Sequence, residues 1–407
     1  MAGTLEGNAT INVDQEELTA GASAATGHGH HREVIMRSGA ATLTRSQGWR
    51  SIGVVSGFVL KLSRQAAGLT QEQLAALLGV DVTTVQGWES GRRPMSAIGT
   101  GEFIRIGARL VRAGAPPSTG RYLRLAIEAD LVLSTGVEAG PGWVDPNLHP
   151  LAAGVHRKDL TNLITWPFTR SAPPHLLEFA PSRPRRGPAP TYPSLGAVEQ
   201  ARFFDHLQLV ADRSRNTPES LLRRQAVYLL GFDRRGHVVD WLRDEWSRAG
   251  RKALRPGDIT SLLEARSASV ALALTGDGSH LHDFVAKTTG TEAELANLNY
   301  WAHWLGESSG TQTDDSFMLE HDKQGWSGAR LLSHLTSRLD PHSPHLPLNL
   351  HTLQALAASR PALLKGEPKI KKTLEQALTR LASSGTLTQL GSNQVTMLNY
   401  ALRISDH

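Results

Sequence analysis

The 407-residue sequence contains no cysteine. Disulfide bonds, thiolate zinc sites and cysteine nucleophiles are therefore excluded, and the composition fits a reducing compartment. No apolar run reaches the roughly 18 residues that a membrane span needs, and residues 1–48 lack the apolar core of a secretory signal. Strand-like alternation of apolar and polar residues is almost absent as well. We expect an all-α cytoplasmic protein with no membrane partner.

Basic residues are unevenly distributed along the chain. The formal charge is +5 at pH 7, a small excess that permits an anionic partner without identifying one. Most of this excess falls in residues 49–134, where basic side chains outnumber acidic ones. The same region has helical patterns at Ser51–Gly68, Glu102–Ala113 and Thr119–Leu133. We therefore expect a compact basic helical domain there.

Residues 1–48 have no sustained helical or strand pattern and are rich in Ala, Gly, Thr and Ser. We expect a disordered arm. The alternative is a metal site at His28, His30 and His31, but such a site needs further ligands held in a fixed geometry.

Residues 135–196 are rich in proline and glycine, and Pro181–Pro190 (PSRPRRGPAP) cannot hold a helix. We expect an extended linker, interrupted by a short helix at Lys158–Ile164. The arginines of the proline-rich stretch either contact DNA phosphates or keep the tether soluble.

The strongest motif is Gln71–Ser90 (QEQLAALLGVDVTTVQGWES), which has the spacing of two short helices joined by a tight turn. Gly79 can take the left-handed conformation that such a turn needs. The residues expected to form the shared core are Leu74, Ala75, Leu78, Val80, Val85 and Trp88. The alternative is a structural helical hairpin with incidental basic residues, and the WESGRRP stretch favours DNA binding instead.

This motif resembles the lambda repressor/Cro family, also called Xre-type regulators. The family hallmark combines LTQ, LA, LGV and a polar helix ending in WE before G-R. In this sequence those elements are Leu69–Gln71, Leu74–Ala75, Leu78–Val80, Trp88–Glu89 and Gly91–Arg93. The resemblance implies a five-helix DNA-binding domain over residues 49–134, with an ion pair between Arg64 and Glu89.

By this resemblance, the third helix enters the major groove and turns its first residues toward base edges. The implied base-reading residues are Val82, Thr83, Thr84 and Gln86. Val82 can pack on a thymine methyl group, whereas Thr83 can also hydrogen-bond. Gly87 stands where the family often has a long polar residue, which argues against a contact from that position. The implied phosphate contacts are Thr70, Gln71, Ser90, Arg92 and Arg93.

Residues 197–407 are expected to form an antiparallel helical array, because helical patterns recur between Gly- or Pro-bearing turns. The predicted helices are Phe203–Ala211, Ser220–Leu230, His237–Arg248, Ile259–Leu274, Leu281–Lys287, Glu292–Leu305, Gly328–Leu339 and Leu350–Ala358.

An aromatic cluster is the most distinctive feature of this half. Tyr300, Trp301, His303 and Trp304 occupy neighbouring helical positions in NLNYWAHWLGE. Such residues form either core or a site for a small-molecule or protein effector. This segment and Leu346–Pro361 (LPLNLHTLQALAASRP) are similar to the C-terminal halves of large actinomycete Xre-type regulators.

Catalytic motifs are missing from the sequence. Gly276–Leu281 (GDGSHL) lacks the third glycine of a dinucleotide fingerprint, and Ser327 lacks the second glycine of a nucleophile elbow. His280 and His282 are spaced for a strand rather than a helix. We expect no enzyme activity, no metal and no cofactor. The alternative is an enzyme in the C-terminal half that is recruited to DNA.

Together these features predict a nucleoid-associated, sequence-specific transcription regulator that binds double-stranded DNA as a homodimer. One such domain contacts few base pairs, so useful affinity needs two, on half-sites about one helical turn apart. The C-terminal half would serve dimerisation, partner binding or effector sensing. The alternative is an antitoxin or mobile-element accessory protein whose C-terminal half binds another protein.

Overall fold

Helices provide the secondary structure of the part of the chain that the computed structural model describes, and no strand occurs there. This confirms the prediction of an all-α protein. The described residues are 52–153, 156–179, 191–215, 220–252, 259–288, 292–308, 310, 312, 315–320 and 325–405. The predicted arm at residues 1–48, with its three histidines, and the Pro181–Pro190 stretch lie outside them. No described helix is long and apolar enough to cross a membrane.

The first half of the described chain contains α1 (Val54–Ala66), α2 (Gln71–Leu78), α3 (Val82–Glu89), α4 (Thr100–Arg112), α5 (Thr119–Ala139), α6 (Lys158–Thr169), α7 (Ala197–Arg213) and α8 (Ser220–Leu230). The second half contains α9 (Gly236–Lys252), α10 (Ile259–Thr275), α11 (Ser279–Thr288), α12 (Glu292–Trp304), α13 (Ala329–Thr336), α14 (Leu346–Ser359), α15 (Pro361–Gly366), α16 (Pro368–Ser383) and α17 (Gln389–Ile404).

Helix α5 links the first helices to the rest of the molecule. It packs against α1 and α4 on the N-terminal side and against α6 and α7 on the other. Its buried side chains belong to one continuous apolar core that runs from α1 to α11. A second core is formed mainly by α13 to α17 together with part of α12. The N-terminal helices therefore share a core with the helices that follow them.

The prediction of an extended linker over residues 135–196 is wrong for much of its described length. This segment contributes α6 and several fully buried apolar side chains, among them Leu151, Leu163, Trp166 and Phe179. Pro146, Pro150 and Pro174 each stand at the start of a 3-10 helix, where a missing N–H is tolerated. Proline thus starts short helical turns here, and burial of the apolar side chains holds the segment against the core.

Candidate nucleic-acid interface

Local hydrogen bonds set the ends of α2 and α3. Thr70 caps α2: its Oγ1 accepts from the backbone N–H of Gln73 at 3.2 Å, while its own N–H donates to Gln73 Oε1 at 2.8 Å. Gly79 ends the helix with φ at 72°, a conformation that favours glycine. Asp81 starts α3 by accepting the N–H of Thr83 at 2.7 Å. These caps are short-range, so the sequence itself defines the turn between the helices.

An ion pair joins the end of α1 to the end of α3. Arg64 Nε lies 2.5 Å from Glu89 Oε1, and Arg64 Nη2 donates to Glu89 Oε2 at 2.9 Å. Arg64 Nη1 also donates to the carbonyl of Leu69 at 2.8 Å. The Gln71 side-chain amide donates to Glu89 Oε2 at 2.7 Å. The Glu89 carboxylate therefore connects α1, α2 and α3. Its contact on α2 is the side-chain amide of Gln71, a residue that was expected to contact phosphate.

The outer face of α3 exposes Thr83 and Gln86, while Val82 and Thr84 are half-buried. Thr83 Oγ1 lies 2.5 Å from Asp81 Oδ1. Hydrogen bonds from Thr83 lower the pKa of Asp81, so this carboxylate is ionised and can only accept. The Thr83 hydroxyl therefore donates to Asp81. It is left with acceptor lone pairs and a methyl group to present outward.

Gly87 provides space for the side chain of Arg93. A Cβ at Gly87 would lie 2.9 Å from Arg93 Cδ and 3.1 Å from Arg93 Cγ. The arginine stem thus crosses α3 at the glycine, and Arg93 Nη1 donates to Thr84 Oγ1 at 2.9 Å. From the sequence, we expect no DNA contact at Gly87 and a phosphate contact from Arg93. The structure places the Arg93 guanidinium beside the residues expected to read bases.

Other basic residues of this region differ in their surroundings. Arg92 is exposed, and its Nε donates to Ser90 Oγ at 3.1 Å just after α3. Arg109 donates to the carbonyl of Leu78 at 3.0 Å and so caps the end of α2. Arg105 pairs with Glu102 on its own helix. Arg92 thus lies next to the exposed side of α3, whereas Arg109 has a structural role.

Asp130 holds the start of α1 from α5. Its two carboxylate oxygens accept the backbone N–H groups of Val55 and Ser56, each at 2.9 Å. Burial raises the pKa of Asp130 to about 7, although these hydrogen bonds oppose the rise. No local sequence pattern marks Asp130 for this role, because the backbone groups that it binds lie 75 and 74 residues away along the chain.

Three of the four predicted residues of the aromatic cluster on α12 line a cavity, and the fourth is buried elsewhere. Tyr300, Trp301 and Trp304 line a cavity of about 410 Å³. His303 is 1% exposed and packs against Phe317, with a ring-centroid distance of 5.5 Å. The structure therefore brings three of the four predicted residues to one cavity and leaves His303 out. Within the described ranges, no group of three or more His, Asp or Glu side chains could hold a metal ion.

Two short helices with a capped turn, and an exposed face on the second one, define a DNA-binding domain of the helix-turn-helix class. Residues 60–97 match a family model described as helix-turn-helix. This part of the chain is of the Xre, or lambda repressor-like, type, and that family binds DNA rather than catalysing a reaction. No curated protein and no solved structure matches the chain.

Proposed function

We propose that the protein is a sequence-specific transcription regulator that inserts α3 into the major groove of double-stranded DNA. The observation that carries this proposal is the exposed face of α3, where Thr83 and Gln86 are free of core packing and Arg93 lies alongside. A B-DNA major groove about 12 Å wide admits one helix in this way.

The base-reading set in this proposal consists of Val82, Thr83, Thr84 and Gln86. Because its hydroxyl donates to Asp81, Thr83 accepts from adenine N6 or cytosine N4, or packs on a thymine methyl group. Gln86 can bond an adenine at two points. A threonine with a free hydroxyl proton could also donate to a base acceptor, which Thr83 cannot do while it donates to Asp81.

Arg93 joins this set as a base-reading residue. Its stem is supported by the helix at Gly87, and its guanidinium lies at Thr84. An arginine held at this edge can donate to guanine O6 and N7. The alternative role for Arg93 is a phosphate contact. Removing a phosphate contact lowers the affinity for every DNA sequence equally, whereas removing a base contact changes the sequence preference.

The phosphate contacts in this proposal flank α2 and α3. Arg92 and Ser90 follow α3 on its exposed side. Thr70 and Gln71 start α2, where backbone N–H groups at the first turn of a helix favour an anion. The Gln71 side chain holds Glu89, so its remaining amide hydrogen and its backbone N–H are the groups available to DNA.

We further propose that the protein acts in the cytoplasm at the nucleoid, as a homodimer without catalytic activity. Two domains on neighbouring half-sites supply the affinity that one short helix lacks. Mapping genomic occupancy tests the function directly: we expect discrete peaks with a shared two-part motif. Uniform occupancy without a motif would contradict sequence-specific regulation, and a monomer on DNA in analytical ultracentrifugation would contradict the dimer.

A further inference from the structure

A cavity of about 410 Å³ lies among the helices that follow the DNA-binding domain. Its volume falls in the range of roughly 300 to 1,000 Å³ that small-molecule sites occupy. Residues of α6, α8, α10, α12, α13 and α14 line it. The residues on which the argument depends are Lys158, Arg266, Arg338, Tyr300, Trp301 and Trp304.

The charge of this cavity is one-sided. Lys158, Arg266 and Arg338 line it, whereas none of its described lining residues is an aspartate or glutamate. Arg266 is only 8% exposed. Its Nε donates to the neutral Asn297 Oδ1 at 2.9 Å, and its guanidinium lies 4.6 Å from the centre of the Tyr300 ring. A buried cation with such neutral partners favours an anion nearby.

The titratable groups that line the cavity do not supply that anion. The carboxylate nearest to Lys158 is Asp159, which favours the charged form of the lysine but pairs with Arg121 and does not line the cavity. Burial, together with Lys158 and Arg338, lowers the pKa of His334 to about 3. Burial, together with Arg338 and Arg266, lowers the pKa of His345 to about 4. Burial and Arg338 also lower the pKa of Lys158. The two histidines are therefore neutral near pH 7 and add no charge, whereas Lys158, Arg266 and Arg338 repel one another. A negative ligand would relieve that repulsion.

One side of the cavity is flat and apolar. The Tyr300 and Trp304 rings are stacked, with centroids 6.2 Å apart and planes inclined by 24°. Trp301 also lines the cavity. A flat aromatic side suits the apolar body of a planar ligand.

We propose that this cavity binds a small organic anion, with a planar apolar body against Trp301 and Trp304 and a carboxylate or phosphate group at Lys158, Arg266 and Arg338. Carboxylate and phosphate share the chemistry that these cations recognise. The proposal does not depend on DNA binding, so the two can fail separately.

Isothermal titration of the full-length protein with three naphthalene probes tests this proposal. The probes are 2-naphthoate, 2-naphthyl phosphate and the neutral 2-naphthalenemethanol, which share one ring system and differ in head group. We expect at least one anion to bind with Kd below about 1 mM, and the neutral alcohol to bind about tenfold more weakly or worse. The tighter of the two anions identifies the preferred head group.

Variants locate the binding. Replacing Lys158 and Arg338 together by glutamine is expected to weaken anion binding about tenfold and to leave alcohol binding unchanged. Arg266 is left intact because replacing this buried side chain is expected to destabilise the fold. Trp304→Leu should weaken anion and alcohol alike. The control Lys365→Gln removes an exposed cation that does not line the cavity, and we expect it to bind as the wild type does.

Three results would overturn the proposal. The first is no heat of binding from either anion at millimolar concentration. The second is equal affinity for anion and alcohol, which would mean that the cations do not take part. The third is an unchanged anion affinity in a folded Lys158/Arg338 double variant, which would place binding elsewhere on the protein.

Discussion

Arg64 and Glu89 meet at two points, with Arg64 Nε 2.5 Å from Glu89 Oε1 and Arg64 Nη2 2.9 Å from Glu89 Oε2. Their side chains are only 4% and 5% exposed. The pair fixes the end of the recognition helix relative to α1, and Gln71 adds a third contact from α2. The Glu89 carboxylate thus adds polar contacts to the apolar packing of Val85 and Trp88 that holds α3 in place.

Replacing Glu89 by alanine is expected to leave Arg64 buried without its partner. Removing one member of a buried ion pair costs about 3 kcal/mol or more. We expect faster hydrogen exchange of the amide groups in α1 to α3 and a lower Tm. The matched control is Glu102→Ala, whose arginine partner is 61% exposed, and which should cost less than about 1 kcal/mol. Equal exchange rates in the two variants would contradict a stabilising role for the pair.

The base-reading face is tested by replacing Thr83 and Gln86 together with alanine. Both side chains are exposed, so the fold should be retained. We expect the preferred sequence in a binding-site selection to change, and non-specific affinity at low salt to stay the same, because phosphate contacts dominate the latter. A selected motif identical to that of the wild type would place the recognition surface elsewhere.

Arg92 and Arg93 are neighbours that should behave differently. Arg92→Ala is expected to weaken all sequences alike and to reduce the slope of log K against log salt by about 0.9, as one lost phosphate contact does. Arg93→Ala should instead relax the preference at one base-pair position by about 1 to 3 kcal/mol. The two replacements remove the same charge, so each serves as the control for the other.

Gly87→Ala gives an independent check on Arg93. The added Cβ would lie 2.9 Å from Arg93 Cδ, so the arginine must move off α3. We expect the same relaxed base preference as in Arg93→Ala, with the positive charge still present. If Gly87→Ala kept the wild-type preference while Arg93→Ala lost it, the contact across Gly87 would not be what positions the arginine.

The helix-turn-helix could be predicted because its determinants are local. Thr70, Gly79 and Asp81 each act within a few residues of their own position. The predicted helices end at Ala358, whereas the structure has a further helix, α16. Its buried Leu374, Leu378 and Leu381 have helical spacing, so the sequence does carry a signal for this helix.

Other features depend on contacts between distant parts of the chain. The folded segment around Trp166 was predicted as linker because proline composition outweighed its buried apolar residues. Trp166 meets Phe58 of α1 edge-on, with ring centroids 5.1 Å apart, and no local pattern specifies this contact. The cavity likewise needs Lys158, Arg266 and Arg338 to converge from separate segments. Composition and periodicity do not encode such convergence.

Buried histidines make stability depend on pH. Burial lowers the pKa of His156 to about 3 from its usual 6.5, so the folded protein holds it neutral while the unfolded chain becomes protonated below pH 6.5. Its contribution to stability is therefore present above pH 6.5 and is lost as pH falls toward 3. Asp130 acts in the opposite sense, since its raised pKa of about 7 favours folding at low pH and loses that contribution as pH rises to 7.

Comparing variants separates the contribution of His156 to pH-dependent stability from that of Asp130. His156→Gln leaves Asp130 in place and removes one proton from the linkage, so the slope of unfolding free energy against pH between 4 and 6 should decrease by about 1.4 kcal/mol per pH unit. His345→Gln, at the cavity, should reduce the slope in the same direction, because burial and nearby arginines lower its pKa to about 4. Denaturant unfolding at several pH values measures both slopes. A slope unchanged by His156→Gln would mean that this imidazole is protonated, or reached by water, in the folded protein.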